Sequence, residues 1–247
     1  MTTARYVEHV MGMPISLALR GRHTDDEPAR RAWAEALEIL RAADRVFSTY
    51  RADSYISRLD RGELSLVDCP PEVAEVLALG ERARVESDGA FDVRRSGRLD
   101  PSGVVKGWAV ERAARAFDQL PDTDYCLSAG GDLTCRVVDP DVPAWRIGIE
   151  DPQAPDNLAA VVPIRQGAIA TSGLNRRGNH ITDARTGRTP GGLASVTVVH
   201  PSLTQADIDA TAAFALGPDA LTWLEGRPGR TGLIVFHDGT RRLYGTT

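Results

Sequence analysis

Residues 99–114 read LDPSGVVKGWAVERAA, and this stretch places an acid, two glycines and a lysine around the start of a predicted helix. Asp100 and Ser102 precede Gly103, and Lys106 follows within the first turn. Free N–H groups at a helix start bind anions, and a glycine exposes its carbonyl to a hard cation. The stretch therefore predicts a site for a charged ligand. An ordinary helix cap with Lys106 in solvent explains the same residue types and is the alternative.

The regions on either side of this helix indicate an α+β fold. Residues 25–50 and 70–87 carry apolar residues at helical spacing, whereas the opening residues alternate as a hairpin does. The second half is rich in β-branched runs broken by Gly and Pro, with a further helix opened by Thr204 and stopped by Gly217. Regular βαβ alternation is missing, so we predict a mainly antiparallel sheet with helices.

Composition limits the classes of function. The chain has 247 residues, a formal net charge of −5 and 42% hydrophobic residues. The mild acidity disfavours nucleic acid as a partner, because nucleic-acid-binding proteins present basic faces. Three cysteines stand apart without a CxxC pair, which predicts free thiols rather than a disulfide framework. The first residues lack a secretory pattern, and no window approaches about 20 apolar residues, so we expect a cytoplasmic protein without a membrane span.

A second candidate site is the hexapeptide ADIDAT, residues 206–211. Asp207 and Thr211 are four residues apart, which places them on one face of a helix. A carboxylate and a hydroxyl on one face can bind the same Mg²⁺, which prefers oxygen ligands and keeps waters for substrate phosphates. By itself, such a pair is more often a helix-start acid and a surface threonine.

Two loops complete the candidates. The segment SAGGDL, residues 128–133, follows an apolar strand, and its glycines predict a hairpin turn or a close approach to a ligand. In the polar loop after residue 173, His180 precedes Asp183 by three residues and is a candidate general base, with a structural histidine as the alternative. The chain has no P-loop, nucleophile elbow or Rossmann fingerprint, which disfavours most common nucleotide-binding and hydrolase classes.

The order of the motifs is more specific than any one of them. The segments are MGM (11–13), FSTYRADSYISRLDRG (47–62), GAFDV (89–93), LDPSGVVKGWAVERAA (99–114), SAGGDL (128–133), WRIGIEDP (145–152), AIATSG (168–173), NHITDARTG (179–187), SVTVVHPS (195–202) and ADIDATAAFALG (206–217). In this order they resemble the ApbE family, whose members are FAD:protein FMN transferases. The resemblance implies one ApbE-like flavin transferase domain over residues 1–247, with two closely packed lobes around an FAD and Mg²⁺ site.

The resemblance also implies a reaction. A Mg²⁺-dependent enzyme of this family binds FAD, cleaves its pyrophosphate and attaches FMN to a Ser or Thr hydroxyl of a target flavoprotein, releasing AMP. The implied side-chain ligands of the metal are Asp207 and Thr211, and Gly103 contributes its carbonyl. His180 matches the family's histidine motif and is expected to deprotonate or position the acceptor hydroxyl. The implied partners are FAD and the acceptor flavoprotein, and a homo-oligomer is a further candidate assembly.

Further residues are assigned to the FAD site by the same resemblance. Tyr50 offers a ring face for stacking and is paired with Met11, while Asp100 is expected to accept from the adenine or ribose side. The full set of expected FAD contacts is Met11, Tyr50, Ala90, Phe91, Asp92, Asp100, Lys106 and Thr182.

Departures from the family pattern keep alternatives open. The segment between Asp92 and Asp100 is much shorter than is usual, so part of the pocket wall is expected to be missing or supplied by another chain. Ala210 stands where some relatives carry an acid, and HITDART lacks the usual proline. The alternatives are a Mg²⁺-dependent FAD diphosphatase, which transfers FMN to water, a non-catalytic FAD-binding protein, and a fold relative that has lost flavin binding.

Overall fold

The computed structural model of the protein describes residues 3–95, 97–173 and 181–245. Within these residues the strands are β1 (Thr3–Val10), β2 (Met13–Gly21), β3 (Arg94–Arg95), β4 (Arg98–Leu99), β5 (Thr123–Ala129), β6 (Asp132–Arg136), β7 (Trp145–Asp151), β8 (Ala154–Ile164), β9 (Gln166–Gly173), β10 (Leu193–His200), β11 (Thr231–Phe236) and β12 (Arg241–Tyr244). Eight of these strands form one antiparallel sheet in the order β1-β2-β5-β6-β9-β10-β11-β12. The pairs β3–β4 and β7–β8 are separate antiparallel hairpins.

Helices pack against the sheet and form the main core. The α-helices of the described residues are α1 (Glu27–Phe47), α2 (Tyr55–Asp60), α3 (Pro71–Glu86), α4 (Ser102–Ala114), α5 (Leu203–Leu216) and α6 (Ala220–Glu225). Strand residues such as Leu17 and Leu127 share one apolar cluster with Phe214 of α5. The β7–β8 hairpin contributes Ile149 to a second cluster, which contains Ile169 of the sheet. The sheet is therefore covered by helices in one layer and by a hairpin in another.

The N-cap of α5 lies two residues before the predicted Thr204, and a side-chain network explains why. Ser202 is the N-cap, since its hydroxyl accepts the N–H of Gln205 at 3.2 Å. Thr204, the predicted opening residue, lies inside the first turn, where its N–H donates to the Glu111 carboxylate at 2.9 Å. The predicted end is confirmed, because the helix stops before Gly217.

A close crossing of α4 and α5 depends on glycine. A Cβ added at Gly107 would lie 2.7 Å from the carbonyl oxygen of Leu203 and 2.8 Å from the Cβ of Asp207. No side chain fits in that space, so the two helix backbones approach each other only because residue 107 has none. The crossing places the side chains of Lys106 and Asp207 side by side.

The prediction of an α+β fold with a mainly antiparallel sheet is confirmed. The short hairpin β3–β4 was not predicted, because two-residue strands carry no readable alternation. Asp60 anchors this hairpin from α2, with its carboxylate accepting from the N–H of Leu99 at 2.7 Å and from Arg98 Nε at 2.6 Å. Among the described residues, no helix is both long and apolar enough to span a membrane.

Candidate active site

A cleft of about 1120 Å³ lies between the helices, the sheet and the β7–β8 hairpin. Most small-molecule sites measure ~300–1,000 Å³, so this cleft has room for a ligand as large as a dinucleotide. Among its lining residues are Met11, Tyr50, Ala90, Phe91, Asp92, Asp100, Gly103, Lys106, Thr182, Asp207 and Thr211. The structure thus brings every predicted site residue that it describes to one cleft. His180 lies outside the described residues, and its neighbours Ile181 and Thr182 line the cleft.

A buried charge cluster forms one wall of the cleft. The Lys106 ammonium lies 3.1 Å from Asp207 Oδ1 and contacts Asp132 Oδ2. Asp207 Oδ2 accepts the backbone N–H of Gly107 at 2.8 Å, and Asp132 Oδ1 accepts the N–H of Thr171 at 2.9 Å. Both carboxylates are almost fully buried. Three elements, α4, α5 and β6, therefore meet through a single ammonium group.

Burial and charge act in opposite directions on these groups. Burial raises the pKa of the Asp207 carboxyl to about 7, against the opposing positive charge of Lys106. Burial alone would lower the pKa of Lys106, but the carboxylates of Asp207 and Asp132 raise it above its usual value. Two carboxylates face one ammonium, so when both are ionised the cluster carries excess negative charge. An added cation would neutralise that charge.

Thr211 lies one helical turn beyond Asp207. Its hydroxyl is 3.2 Å from the Ser172 hydroxyl, and its methyl carbon would lie 3.6 Å from a Cβ added at Gly103. The predicted metal ligands are thus together at the α4–α5 crossing. They offer a carboxylate, a hydroxyl and a carbonyl, which are the hard oxygen donors that Mg²⁺ takes. No three His, Cys, Asp or Glu side chains cluster within the described ranges. This donor set fits a partly hydrated Mg²⁺ better than it fits a soft metal.

Asp100 lies in a polar corner of the cleft. Its Oδ1 accepts the N–H of Ser102 at 3.1 Å, and its Oδ2 pairs with Arg95 Nη2 at 3.1 Å. Arg95 also donates to the Thr182 hydroxyl at 3.4 Å. Asp100 precedes the N-cap residue Pro101, so it is not the cap of α4, and it lines the cleft together with Arg95.

Met11 and Tyr50 both line the cleft, Met11 as a partly buried residue and Tyr50 as an exposed one. Met11 and Gly12 form the two-residue turn between β1 and β2, with φ of 56° and 70°. Such a turn requires a positive φ at both positions. A positive φ is unusual for a methionine, so the backbone of Met11 is strained. Tyr50 is 99% exposed, so its ring is free to pack on a planar ligand.

The segment 90–92 is held rigidly against the cleft. The N–H of Phe91 donates to the Ser87 hydroxyl at 3.0 Å, and the carbonyl of Ala90 accepts the N–H of Ala184 at 3.0 Å. Asp92 instead accepts the N–H of Arg94 at 2.7 Å, which caps the start of the β3–β4 hairpin. Ala90 and Phe91 thus form a buried part of the wall.

Sequence reasoning missed Asp132, Arg95 and the β7–β8 hairpin as parts of the site. Asp132 belongs to SAGGDL, where only the glycines were considered; the acid directly after two glycines was a usable signal. Arg95 pairs with Asp100, but it lies in none of the sequence motifs, so no local pattern indicated it. The hairpin lines the cleft with residues such as Ile147 and Leu158, and this contact across separate sheets has no local signature.

Comparison with known proteins identifies the family. The family model described as "ApbE family" matches residues 11–97 and 93–235. The chain belongs to the ApbE family. The matched residues include nearly all of the helices and strands described above and all of the predicted site residues that line the cleft.

Relatives and solved structures agree with this assignment. The chain is 32% identical over 151 residues to the FAD:protein FMN transferase of Escherichia coli K12, covering 57% of this chain and 43% of the relative. It is 31% identical over 132 residues to the protein of the same name from Haemophilus influenzae, covering 49% and 38%. The matched part thus spans less than half of these relatives.

Structural similarity extends over the whole chain. The ApbE protein of Thermotoga maritima superposes with a TM-score of 0.87 at 20% identity, covering 98% of this chain and 97% of that one. The flavin transferase ApbE of Vibrio cholerae gives a TM-score of 0.82 at 20% identity, covering 98% and 97%. At these identities the likeness establishes the fold, and the predicted ApbE-like fold is confirmed.

Proposed function

We propose that this protein is a Mg²⁺-dependent FAD:protein FMN transferase. It cleaves the pyrophosphate of FAD, attaches FMN to a Ser or Thr hydroxyl of an acceptor flavoprotein and releases AMP. Family membership and the names of the relatives support the reaction class. The single observation that carries the proposal is the placement of Asp207 and Thr211 on a dinucleotide-sized cleft, at a wall where two carboxylates face one ammonium.

Binding and orientation are the main tasks of the protein's own residues in this proposal. Asp207, Thr211 and the carbonyl of Gly103 would hold Mg²⁺, which when bound supplies charge neutralisation at the pyrophosphate oxygens. Tyr50 would pack on a ring of FAD at the rim, and Asp100 would accept a hydrogen bond from its adenosine part. Arg95 adds positive charge beside Asp100.

The bond changes are those of a phosphoryl-group displacement. The acceptor hydroxyl oxygen attacks the phosphorus of the FMN half, and the bond from that phosphorus to the bridging oxygen breaks. The bridging oxygen leaves with AMP, and the hydroxyl proton passes to a base. We assign that base to His180, which directly precedes the cleft-lining residues Ile181 and Thr182. Attack by water at the same phosphorus would give the FAD diphosphatase reaction.

Metal-dependent AMP release tests the proposal. The purified chain is incubated with FAD, a candidate acceptor flavoprotein and Mg²⁺, with and without EDTA, and AMP and FMN are separated by chromatography. We expect AMP only when the metal is present, and none from Asp207→Ala or Thr211→Ala. Glu81→Gln is the matched control, because Glu81 forms a surface pair with Arg84 outside the cleft.

A second arm separates transfer from hydrolysis. The reaction is run with and without the acceptor flavoprotein, and the flavin fluorescence of the acceptor is recorded in a denaturing gel. Protein-bound flavin together with AMP supports the transferase. AMP with equimolar free FMN and no labelled acceptor supports the diphosphatase. Retention of intact FAD with neither product, at any Mg²⁺ concentration and with acceptor present, contradicts catalysis and supports an FAD-binding protein.

A further inference from the structure

Lys106 is the only lysine in the sequence, and the other 28 of its 29 basic side chains of the Lys and Arg types are arginines. An ammonium is a compact charge with rotatable donors, whereas a guanidinium is a rigid planar fork. The lone lysine stands where one charge contacts two carboxylates from different elements, Asp132 of β6 and Asp207 of α5. The single lysine of the sequence therefore stands at a partly buried position on the cleft wall, where a compact, rotatable ammonium suits the contact with two carboxylates.

The two carboxylates differ in what else they can do. Asp207 lies on the α5 face that carries Thr211, where the expected cation would bind. Asp132 lies at the start of β6, with its Oδ1 fixed by the N–H of Thr171 and its Oδ2 against the Lys106 ammonium. The side chain of Asp132 is 2% exposed, so this oxygen faces the ammonium rather than solvent.

We infer that Lys106 is a movable countercharge for the cation site and that Asp132 is the positioning residue that retains it. The inference rests on the proposed function, because it takes Asp207 as a metal ligand. Without a cation, the Lys106 ammonium neutralises Asp207 and Asp132 together. With a cation held by Asp207, the Lys106 ammonium would share that carboxylate with a second positive charge and be repelled by it. Asp132 then remains paired with the ammonium, so that Lys106 still has a charged partner after it moves away from Asp207.

This arrangement has a measurable consequence. If Asp132 is neutralised, Lys106 has only Asp207 as a charged partner within the cluster, and it competes more strongly with the cation. Asp132→Asn should therefore weaken cation binding, although Asp132 is not a ligand in this scheme. If Lys106 is neutral, the competition is absent and the effect of Asp132 should largely disappear.

A double-mutant cycle on the full-length, FAD-free chain tests this point with Mn²⁺ as the probe in isothermal titration calorimetry. We expect Asp132→Asn to raise the Mn²⁺ dissociation constant by about tenfold, within the ~5–150-fold range usual for coupled sites. In the Lys106→Gln background we expect the same change to cost less than about threefold. An equal loss in both backgrounds overturns the inference, since Asp132 would then act directly on the cation. Thermal melts without metal verify that each variant is folded.

The single lysine provides a second readout that needs no substitution at residue 106. Protein grown with ¹³Cε-labelled lysine gives one lysine side-chain resonance, which reports the surroundings of the Lys106 ammonium. We expect Mg²⁺ to shift this resonance in the wild-type chain, and to leave it unmoved in Asp207→Asn. If the chain binds Mn²⁺ but the lysine resonance does not move, the inference is contradicted and the metal site of the proposed function is not. A chain that binds neither metal contradicts the metal site of the proposed function and the inference with it.

Discussion

Substituting Gly107 by alanine would test whether the α4–α5 crossing sets the geometry of the site. The added Cβ would lie 2.7 Å from the Leu203 carbonyl oxygen and 2.8 Å from Asp207 Cβ, whereas ordinary contacts begin at 3.4 Å. Both nearby groups are backbone or backbone-proximal, so neither can rotate away. The helices must therefore separate by about 0.7 Å at the point where Asp207 meets Lys106 and the Gly107 N–H.

The energetic and kinetic effects of this change should differ in size. Overpacking costs roughly 1–3 kcal/mol, and replacing a helical glycine by alanine returns about 1 kcal/mol. The net loss is then ~0–2 kcal/mol, which lowers Tm by at most about 8 °C in a chain of this length. A displacement near 1 Å at a catalytic group can cost about 100-fold in rate. We therefore expect Gly107→Ala to lose about 30–100-fold in AMP release while remaining folded.

The assay is Mg²⁺-dependent AMP release from FAD, paired with a thermal melt of each variant. Gly226→Ala is the matched control: Gly226 ends α6 with φ of −72°, and its added Cβ makes only ordinary 3.6 Å contacts. It should melt at or slightly above the wild-type temperature with unchanged AMP release. A Gly107→Ala protein with activity within about threefold of wild type would refute the argument that this crossing sets the site.

Three further predictions concern stability, flavin binding and thiol chemistry. Asp209 is buried and is held by Arg and Gln side chains at 2.8–3.2 Å, so Asp209→Asn should cost about 3 kcal/mol and lower Tm by ~6–12 °C. Chemical denaturation and a thermal melt of this variant beside Glu81→Gln, whose stability should not change, check the prediction, and equal stability of the two variants would contradict it. Tyr50→Ala should raise the FAD dissociation constant by ~2–10-fold at unchanged Tm, and a fluorescence titration with an unaltered constant would exclude the ring as a stacking partner. Burial raises the pKa of Cys126 to about 12, so at pH 8.5 its thiol should stay protonated and react with a thiol reagent only after unfolding. Cys69 should react first, and the reactivity of Cys126, which is also a half-buried residue, should grow as pH rises toward 12; rapid labelling of Cys126 at pH 8.5 would contradict the prediction.

Local signals in the sequence were sufficient to predict the helices, most of the strands and most of the residues that line the site. The helical spacing of apolar residues in 25–50 and the turn residues of the hairpins depend on neighbours a few positions away, and such patterns are legible in the chain itself. The four-residue spacing placed Asp207 and Thr211 on one helical face, the order of the motifs indicated the ApbE family, and the cleft contains both residues. The two-residue strands of the β3–β4 hairpin lay below the length at which a period can be recognised.

Only the tertiary structure decided which charges meet. Lys106 and Asp207 are 101 positions apart, and their contact exists because Gly107 lets two helices approach. The sequence suggested Lys106 as an FAD contact, and the structure places its ammonium on Asp132 and Asp207, leaving a role toward FAD as a prediction. The partners of Asp209, Arg227 and Arg230, likewise follow from the packing of the last elements. A buried charge chooses its partner through the three-dimensional approach of distant elements, so no local pattern records that choice.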